Sequence, residues 1–78
     1  MPPGPFSGWE KLSVREREIL YWVAEGKTDK EIGRICGISH RTVQRHVQIV
    51  LQKMVVNTRT AAAAVVWRAR LGGWRDTF

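Results

Sequence analysis

Cysteine, histidine and long apolar runs are scarce in this sequence of 78 residues. A single cysteine, Cys36, cannot form an internal disulfide, so we expect a reducing compartment, the cytoplasm, and a thiol packed as a small apolar group. The two histidines, His40 and His46, lie about 240° apart around a helix and cannot bind one metal ion together. Because residues able to act as nucleophile, base or ligand are few, we expect no metal, no other cofactor and no catalytic residue.

No apolar run approaches the roughly 20 residues that cross a bilayer, so we predict no membrane span. A chain of this length has room for one small domain and not for a large enzyme cleft. Residues 1–9 lack the basic start and apolar centre of a signal peptide, and their prolines and glycines indicate flexibility. We therefore predict a leader or linker at 1–11, a domain at 12–71 and a C-terminal tail at 72–78.

Acidic residues are missing from most of the second half of the chain. Six of the seven acids lie at or before Glu31, and the seventh is Asp76. The positive charges between these two positions are Arg34, Arg41, Arg45, Lys53, Arg59, Arg68, Arg70 and Arg75. With a formal net charge of +6, this polarity favours a polyanionic partner, nucleic acid or an anionic membrane, over a merely solvated basic face.

Capping residues mark where four helices should begin. Residues 13–16 and 28–31 each form a capping box, in which the first and last residues exchange hydrogen bonds between side chain and backbone. Ser39 and Thr58 are suited to cap two further helices, and Gly37 suits the tight turn between the second and third. The pattern predicts an all-α fold, a four-helix bundle containing a helix-turn-helix, with helices at about residues 14–25, 29–36, 40–54 and 59–71.

The third predicted helix has one apolar and one polar side. The apolar stripe, which should face the core, consists of Val43, Val47, Val50, Leu51 and Met54. The polar side consists of Arg41, Arg45, Gln48 and Gln52, flanked by Gln44 on one shoulder and by Thr42, His46 and Ile49 on the other. This helix carries no acid, and its long hydrogen-bond donors are the side chains that reading the edges of base pairs requires.

The fourth predicted helix is apolar on two sides. One stripe contains Ala62, Val65, Val66 and Ala69, and the other contains Ala64, Trp67 and Leu71. Only one stripe can meet the core, so we expect the second to form a dimer interface with another copy of the chain. The alternative is a helix that simply exposes a tryptophan, since single exposed apolar residues are normal.

Four ordered segments carry a family resemblance: LSVREREIL at 12–20, GKTDKEIG at 26–33, ISHRTVQRH at 38–46 and RTAA at 59–62. At this spacing they resemble the LuxR-type helix-turn-helix domain of LuxR/FixJ-like bacterial transcriptional regulators, over about residues 12–71. The resemblance implies that the third helix enters the major groove of DNA and that the fourth commonly makes the dimer.

The resemblance also implies roles for individual residues. It puts Gln44, Arg45 and Gln48 at base-contacting positions, and Lys30, Thr42 and His46 near the phosphate backbone, where we add Arg41. Two positions depart from the family pattern. Gln44 stands where the family more often has lysine, so an amide suited to adenine replaces a charge. Gly33 replaces the usual alanine, which lowers helix propensity by about 1 kcal/mol unless close packing requires glycine.

We therefore interpret the chain as a non-enzymatic domain that binds double-stranded DNA as a homodimer, in the bacterial cytoplasm at the nucleoid, with RNA polymerase as a further candidate partner. The nearest branch by resemblance is that of quorum-sensing regulators. Any small-molecule or phosphorylation signal would be sensed by a domain that this chain does not contain. Two alternatives stay open: a sigma-factor-like promoter-reading domain, against which the match at His46 and the fourth helix argue, and a basic protein-interaction or membrane-surface module. Membrane binding would need more apolar residues beside Arg41 and Arg45 than Ile49 alone.

Overall fold

Four α-helices follow a single 3-10 turn in the computed structural model, which describes residues 5–74. The turn is Trp9–Lys11, and the helices are α1 (Val14–Ala24), α2 (Asp29–Cys36), α3 (His40–Met54) and α4 (Arg59–Leu71). The predicted all-α class is confirmed, and the four helices lie where they were predicted. Helix α1 ends one residue earlier than predicted, because Glu25 already leaves the helical conformation ahead of Gly26, which has a φ of 81°.

Each helix begins where a side chain satisfies free backbone amides. The Ser13 hydroxyl accepts a hydrogen bond from the Glu16 amide at 3.1 Å, and the Glu16 carboxylate accepts one from the Ser13 amide at 2.8 Å. This is a complete capping box, and Thr28 heads a second one. Ser39 and Thr58 cap α3 and α4 through their hydroxyls. Both predicted capping boxes are confirmed.

The core consists of two apolar clusters that meet at Leu51, which packs against both. The first cluster joins α1, the second half of α3 and α4, and its buried members are Leu12, Leu20, Ala24, Val50, Met54, Ala62 and Val66. The second joins α1, α2 and the first half of α3, and its buried members are Ile19, Val23, Ile32, Val43 and Val47. The apolar stripe of α3 therefore faces inward, and its polar side is left at the surface.

The turn between α2 and α3 is held unusually close to α2. Gly37 ends α2 in the left-handed conformation, with a φ of 71° that favours glycine. Ile38 then packs, half-buried, on the second cluster beside Cys36. A Cβ on Gly33 would lie 2.6 Å from the Ile38 carbonyl oxygen. Close packing thus explains why glycine replaces the alanine expected at position 33.

Part of the predicted leader 1–11 packs against the helices. Phe6 and Trp9 lie half-buried on the first cluster with Trp74, and the ring centroids of Trp9 and Trp74 are 5.0 Å apart. Gly8, with a φ of 92°, lies so close to the Lys53 carbonyl that a Cβ would overlap it. Trp74, which makes these aromatic contacts, belongs to the predicted tail 72–78. The rest of these two segments, 1–4 and 75–78, lies outside the described residues.

Candidate nucleic-acid interface

The polar side of α3 is exposed along its length. Val43 and Val47 are buried, and the side chains on the opposite surface of the helix project into solvent. The exposed residues on that surface are Arg41, Gln44, Arg45, Gln48 and Gln52. Between positions 5 and 74, no carboxylate forms an ion pair with either of these arginines. The three residues predicted to contact bases, Gln44, Arg45 and Gln48, therefore share one free surface.

Two of the residues predicted to contact phosphates, Thr42 and His46, differ in how far their side chains are exposed to solvent. The Thr42 hydroxyl lies 2.9 Å from the Ser39 hydroxyl, at the exposed start of α3. The His46 side chain is half-buried, and its Nδ1 atom is buried with no hydrogen-bond partner among the described residues. The structure therefore holds the His46 ring against the fold and leaves only its other ring nitrogen for an external ligand.

Lys30, in the first turn of α2, borders a shallow hollow between α2 and the start of α3. The hollow has a volume of about 320 Å³ and is lined by Lys30, Gly33, Arg34, Ile38 and His40. The side chains of Lys30, Arg34 and His40 are exposed. Arg34 and His40 were not among the candidate site residues predicted from the sequence. The spacing of four residues between Lys30 and Arg34, which puts both on one side of a helix, could have identified the first of them.

The positively charged side chains differ in whether an acid of the same chain pairs with them. Four of them form ion pairs within the chain: Arg15 with Glu18 at 3.0 Å, Lys53 with Glu16 at 2.7 Å, Arg59 with Asp29 at 2.6 Å, and Arg70 with Glu25 at 3.1 Å. By contrast, Lys30, Arg34, Arg41 and Arg45 have no acid within ion-pair distance in the described part of the chain. Among the described residues, Lys11, Arg17, Lys27 and Arg68 also lack such an acid, so half of the basic residues without an ion pair lie on α2 and the outer side of α3.

The ion pair of Glu16 fixes the far end of α3 against α1. The Glu16 carboxylate is buried, accepts a hydrogen bond from the Lys53 ammonium at 2.7 Å, and caps Ser13 as well. Burial alone would raise the pKa of Glu16, but the hydrogen bonds from Lys53 and Ser13 outweigh it, and the net effect is a lowered pKa. The carboxylate is therefore ionised at neutral pH and joins the C-terminal end of α3 to the start of α1.

A second ion pair ties the start of α4 to the loop that precedes α2. One nitrogen of the Arg59 guanidinium contacts the Asp29 carboxylate at 2.6 Å, and the other donates to the Lys27 carbonyl at 3.0 Å. Asp29 is the first residue of α2 and directly precedes Lys30. Arg59 therefore fixes the end of α2 that carries the candidate phosphate contact.

The predicted dimer stripe of α4 is only partly free. Ala64 is half-buried, Trp67 is 46% exposed and Leu71 is 86% exposed. The Trp67 indole N–H donates to the Ala24 carbonyl at 2.9 Å, and the Arg70 guanidinium lies 4.8 Å from the centroid of the Trp67 ring. Trp67 is thus partly bound to its own chain, and Leu71 is the most available apolar side chain on this helix.

Other kinds of site find little support in the described residues. Residues 5–74 contain no group of three or more His, Cys, Asp or Glu that could hold a metal ion. Over the same residues no single helix has the length and apolar character needed to cross a bilayer. Helices α3 and α4 reach that length only together, and they are bent by 60° at the break between them.

A bundle of four helices with a tight glycine turn before an exposed, acid-free third helix defines a helix-turn-helix DNA-binding domain of the kind found in transcription regulators. Comparison with protein families agrees, because residues 10–66 match the model described as bacterial regulatory proteins of the luxR family. The chain belongs to this family.

Individual relatives are named transcriptional regulators. The chain is 47% identical over 62 residues to the transcriptional regulatory protein LiaR of Bacillus subtilis. The matching stretch covers 80% of this chain and 29% of LiaR. It is 51% identical over 51 residues to the transcriptional activator protein SolR of Ralstonia solanacearum, covering 65% of the chain and 22% of SolR. It is 34% identical over 71 residues to the transcriptional activator protein BjaR1 of Bradyrhizobium diazoefficiens, covering 91% of the chain and 29% of BjaR1. The chain thus spans less than a third of the length of each of these relatives.

Proposed function

We propose that this chain binds double-stranded DNA in a sequence-specific manner, with α3 lying in the major groove. The observation that carries this proposal is the exposed, acid-free outer side of α3, opposite its buried valines. The major groove, about 12 Å wide, admits an α-helix and displays a distinct donor and acceptor pattern for each base pair. Gln44 and Gln48 carry amides that suit adenine, and Arg45 carries a guanidinium that suits guanine.

The phosphate backbone is contacted by Lys30, Arg41, Thr42 and His46 in this proposal. Lys30 and Arg41 are exposed, and no described acid pairs with them. The Thr42 hydroxyl lies at the start of α3, and His46 offers one ring nitrogen. Contacts of this kind fix the register of the protein on DNA without reading its sequence. They should therefore contribute equally to the binding of every duplex.

A homodimer formed through Ala64, Trp67 and Leu71 of α4 is the second part of the proposal. The 86% exposure of Leu71 beside a half-exposed Trp67 supports it. A two-fold dimer would bind two half-sites related by the same symmetry. The domain itself has no enzymatic activity in this proposal and acts at the nucleoid in the cytoplasm, with RNA polymerase as a further partner. Any small-molecule signal, as in quorum sensing, or any phosphorylation signal would be sensed by a domain outside this chain.

Binding titrations at several salt concentrations test the DNA proposal, using a site selected from random duplexes. Gln44→Ala or Gln48→Ala should weaken binding of the selected site by about 1–3 kcal/mol and relax the preference at one base pair. Lys30→Ala should weaken selected and random duplexes alike and flatten the dependence of log K on log salt by about 1. If the glutamine and lysine variants behaved alike, the assignment of roles would be wrong. Anionic vesicles that competed as well as random duplex would instead indicate a membrane-surface module.

Sedimentation with and without duplex tests the dimer. Leu71→Glu is the preferred variant, because the Leu71 side chain is almost fully exposed and its replacement leaves the Trp67 hydrogen bond intact. We expect it to abolish association on a two-half-site duplex while binding to a single half-site is kept. Trp67→Ala serves as the comparison, since it should lower both association and stability. A Leu71→Glu variant that still bound both half-sites cooperatively would contradict the proposed interface.

A further inference from the structure

We propose that the hollow between α2 and the start of α3 seats one phosphate of the DNA backbone, with Arg34 and His40 as its ligands beside Lys30. This inference rests on the proposed binding of DNA and deepens it, because it adds a defined phosphate site and two residues that the family resemblance did not indicate. The hollow has a volume of about 320 Å³ and opens to solvent, so an extended polymer can approach it.

The lining of the hollow is suited to an anion. Its polar side chains are Lys30 and Arg34 from α2 and His40 from α3, and the two remaining lining residues are Gly33 and Ile38. All three polar side chains carry N–H donors, and no acid lines the hollow. A guanidinium and an ammonium on two successive turns of a helix can bind one phosphate from one side, while the imidazole approaches from the other.

The charges that line the hollow are not neutralised by nearby acids. No described carboxylate lies within ion-pair distance of Lys30 or Arg34. The two acids next to Lys30 in sequence make their closest contacts elsewhere: Asp29 pairs with Arg59, and the Glu31 carboxylate accepts a hydrogen bond from the Thr28 amide at 2.9 Å. By contrast, Arg59 and Lys53 are paired within the fold at 2.6 and 2.7 Å. Binding of a phosphate by Arg34 or Lys30 would therefore break no ion pair, although the charge of Arg34 attracts the Glu31 carboxylate at longer range.

Close packing of the turn brings the two sides of the hollow together. The Ile38 carbonyl lies 2.6 Å from the position of a Cβ on Gly33, and the His40 amide lies 3.4 Å from it. This approach puts His40, the first residue of α3, opposite the exposed side of α2. His40 also directly precedes Arg41, on the surface that we propose faces DNA. A phosphate in the hollow would therefore lie at the edge of the groove that α3 enters.

Salt-dependent titrations with variants of Arg34 test the site on a duplex that carries a single half-site. We expect Arg34→Ala to reduce affinity about tenfold for selected and random duplexes alike and to flatten the salt dependence of log K by at most about 1, because Arg34 shares one phosphate with Lys30. Arg34→Lys keeps the charge and should keep the salt dependence of the parent. Arg34→Gln removes the charge at a similar helix propensity and should flatten the salt dependence as Arg34→Ala does. Arg68→Ala is the matched control, because it removes one charge from an exposed residue of α4 and should leave the slope unchanged.

Neutral methylphosphonate linkages, introduced one at a time into the duplex, identify the contact directly. At one position the neutral linkage should weaken DNA binding by the parent as much as the Arg34→Ala substitution does. The same linkage should weaken DNA binding by the Arg34→Ala and His40→Ala variants much less, because these variants have already lost the contact. Additive losses at every position would overturn the site, because they indicate only long-range attraction. An Arg34→Ala slope equal to that of Arg68→Ala would also overturn it.

The same titrations separate this inference from the DNA proposal. If Gln44→Ala relaxes sequence preference while the Arg34 variants behave as the parent, DNA binding stands and the phosphate site fails. If the parent chain binds no duplex with a salt-dependent affinity, both fail.

Discussion

Two substitutions at Glu16 should distinguish two contributions to stability: the hydrogen bond that caps α1, and the ion pair that holds the end of α3. The Glu16 side chain is 8% exposed and accepts hydrogen bonds from the Ser13 amide and the Lys53 ammonium. Glu16→Gln keeps an oxygen for the Ser13 amide but removes the charge. Glu16→Ala removes both interactions. The matched control is Glu18→Gln, whose ion pair with Arg15 has side chains 44% and 41% exposed.

The magnitudes follow from burial. A hydrogen bond between charged groups contributes about 1.5–3 kcal/mol, and the 34% exposure of Lys53 reduces this to about 1 kcal/mol for Glu16→Gln. Glu16→Ala also loses the cap and should destabilise the domain by about 2–3 kcal/mol. For a domain of this size, 1 kcal/mol corresponds to about 4–8 °C in Tm. The exposed pair of Glu18 should contribute less than about 0.5 kcal/mol.

Thermal unfolding followed by circular dichroism, at pH 7 and at low pH, measures these differences. The folded pKa of Glu16 is lowered from an ordinary value of 4.5, so its ion pair stabilises the fold fully above that value. The contribution is lost as the pH falls through the folded pKa, and Glu16→Gln should then match the parent. A difference that persisted unchanged below that pKa, or a Glu18→Gln variant as unstable as Glu16→Gln, would refute the reasoning.

Two glycine substitutions test close packing, each by urea unfolding. Gly8→Ala should destabilise the domain by about 1–3 kcal/mol, because Gly8 has a φ of 92° and its Cβ would overlap the Lys53 carbonyl; no change in the urea midpoint would mean that this segment is a free leader. Gly33→Ala should lower the urea midpoint, because the new Cβ would lie 2.6 Å from a backbone oxygen. Helix propensity alone predicts the opposite, a gain of about 1 kcal/mol in stability. A higher midpoint would show that the turn can move aside.

The helices were predictable because their starts depend on local chemistry. Ser13, Thr28, Ser39 and Thr58 each cap the helix that the sequence predicts for them. A cap involves residues three positions apart, so its signal lies within a short stretch of sequence. The inward stripe of α3 was predictable for a similar reason, since the helical period fixes which residues share a side.

The packing of distant segments was not predictable in the same way. Phe6 and Trp9 read as part of a leader because prolines and glycines surround them, yet they contact Trp74 near the other end of the chain. The hydrogen bond from Trp67 to the Ala24 carbonyl joins residues far apart in sequence. Neither contact leaves a periodic or capping signal, since each depends on how completed helices lie against one another.

The candidate site was predictable in part. The sequence shows 13 basic residues, but it does not show which of them are already paired. Lys53 and Arg59 look as available as Arg41 and Arg45 when only the absence of acids between Glu31 and Asp76 is considered. In the folded chain, acids from the first 31 residues reach across to neutralise Lys53 and Arg59, and also Arg70. Folding therefore pairs Lys53, Arg59 and Arg70 with acids and leaves Arg41 and Arg45 unpaired among the described residues. For that reason net charge alone does not distinguish the basic residues that are paired within the chain from those that we propose contact phosphates.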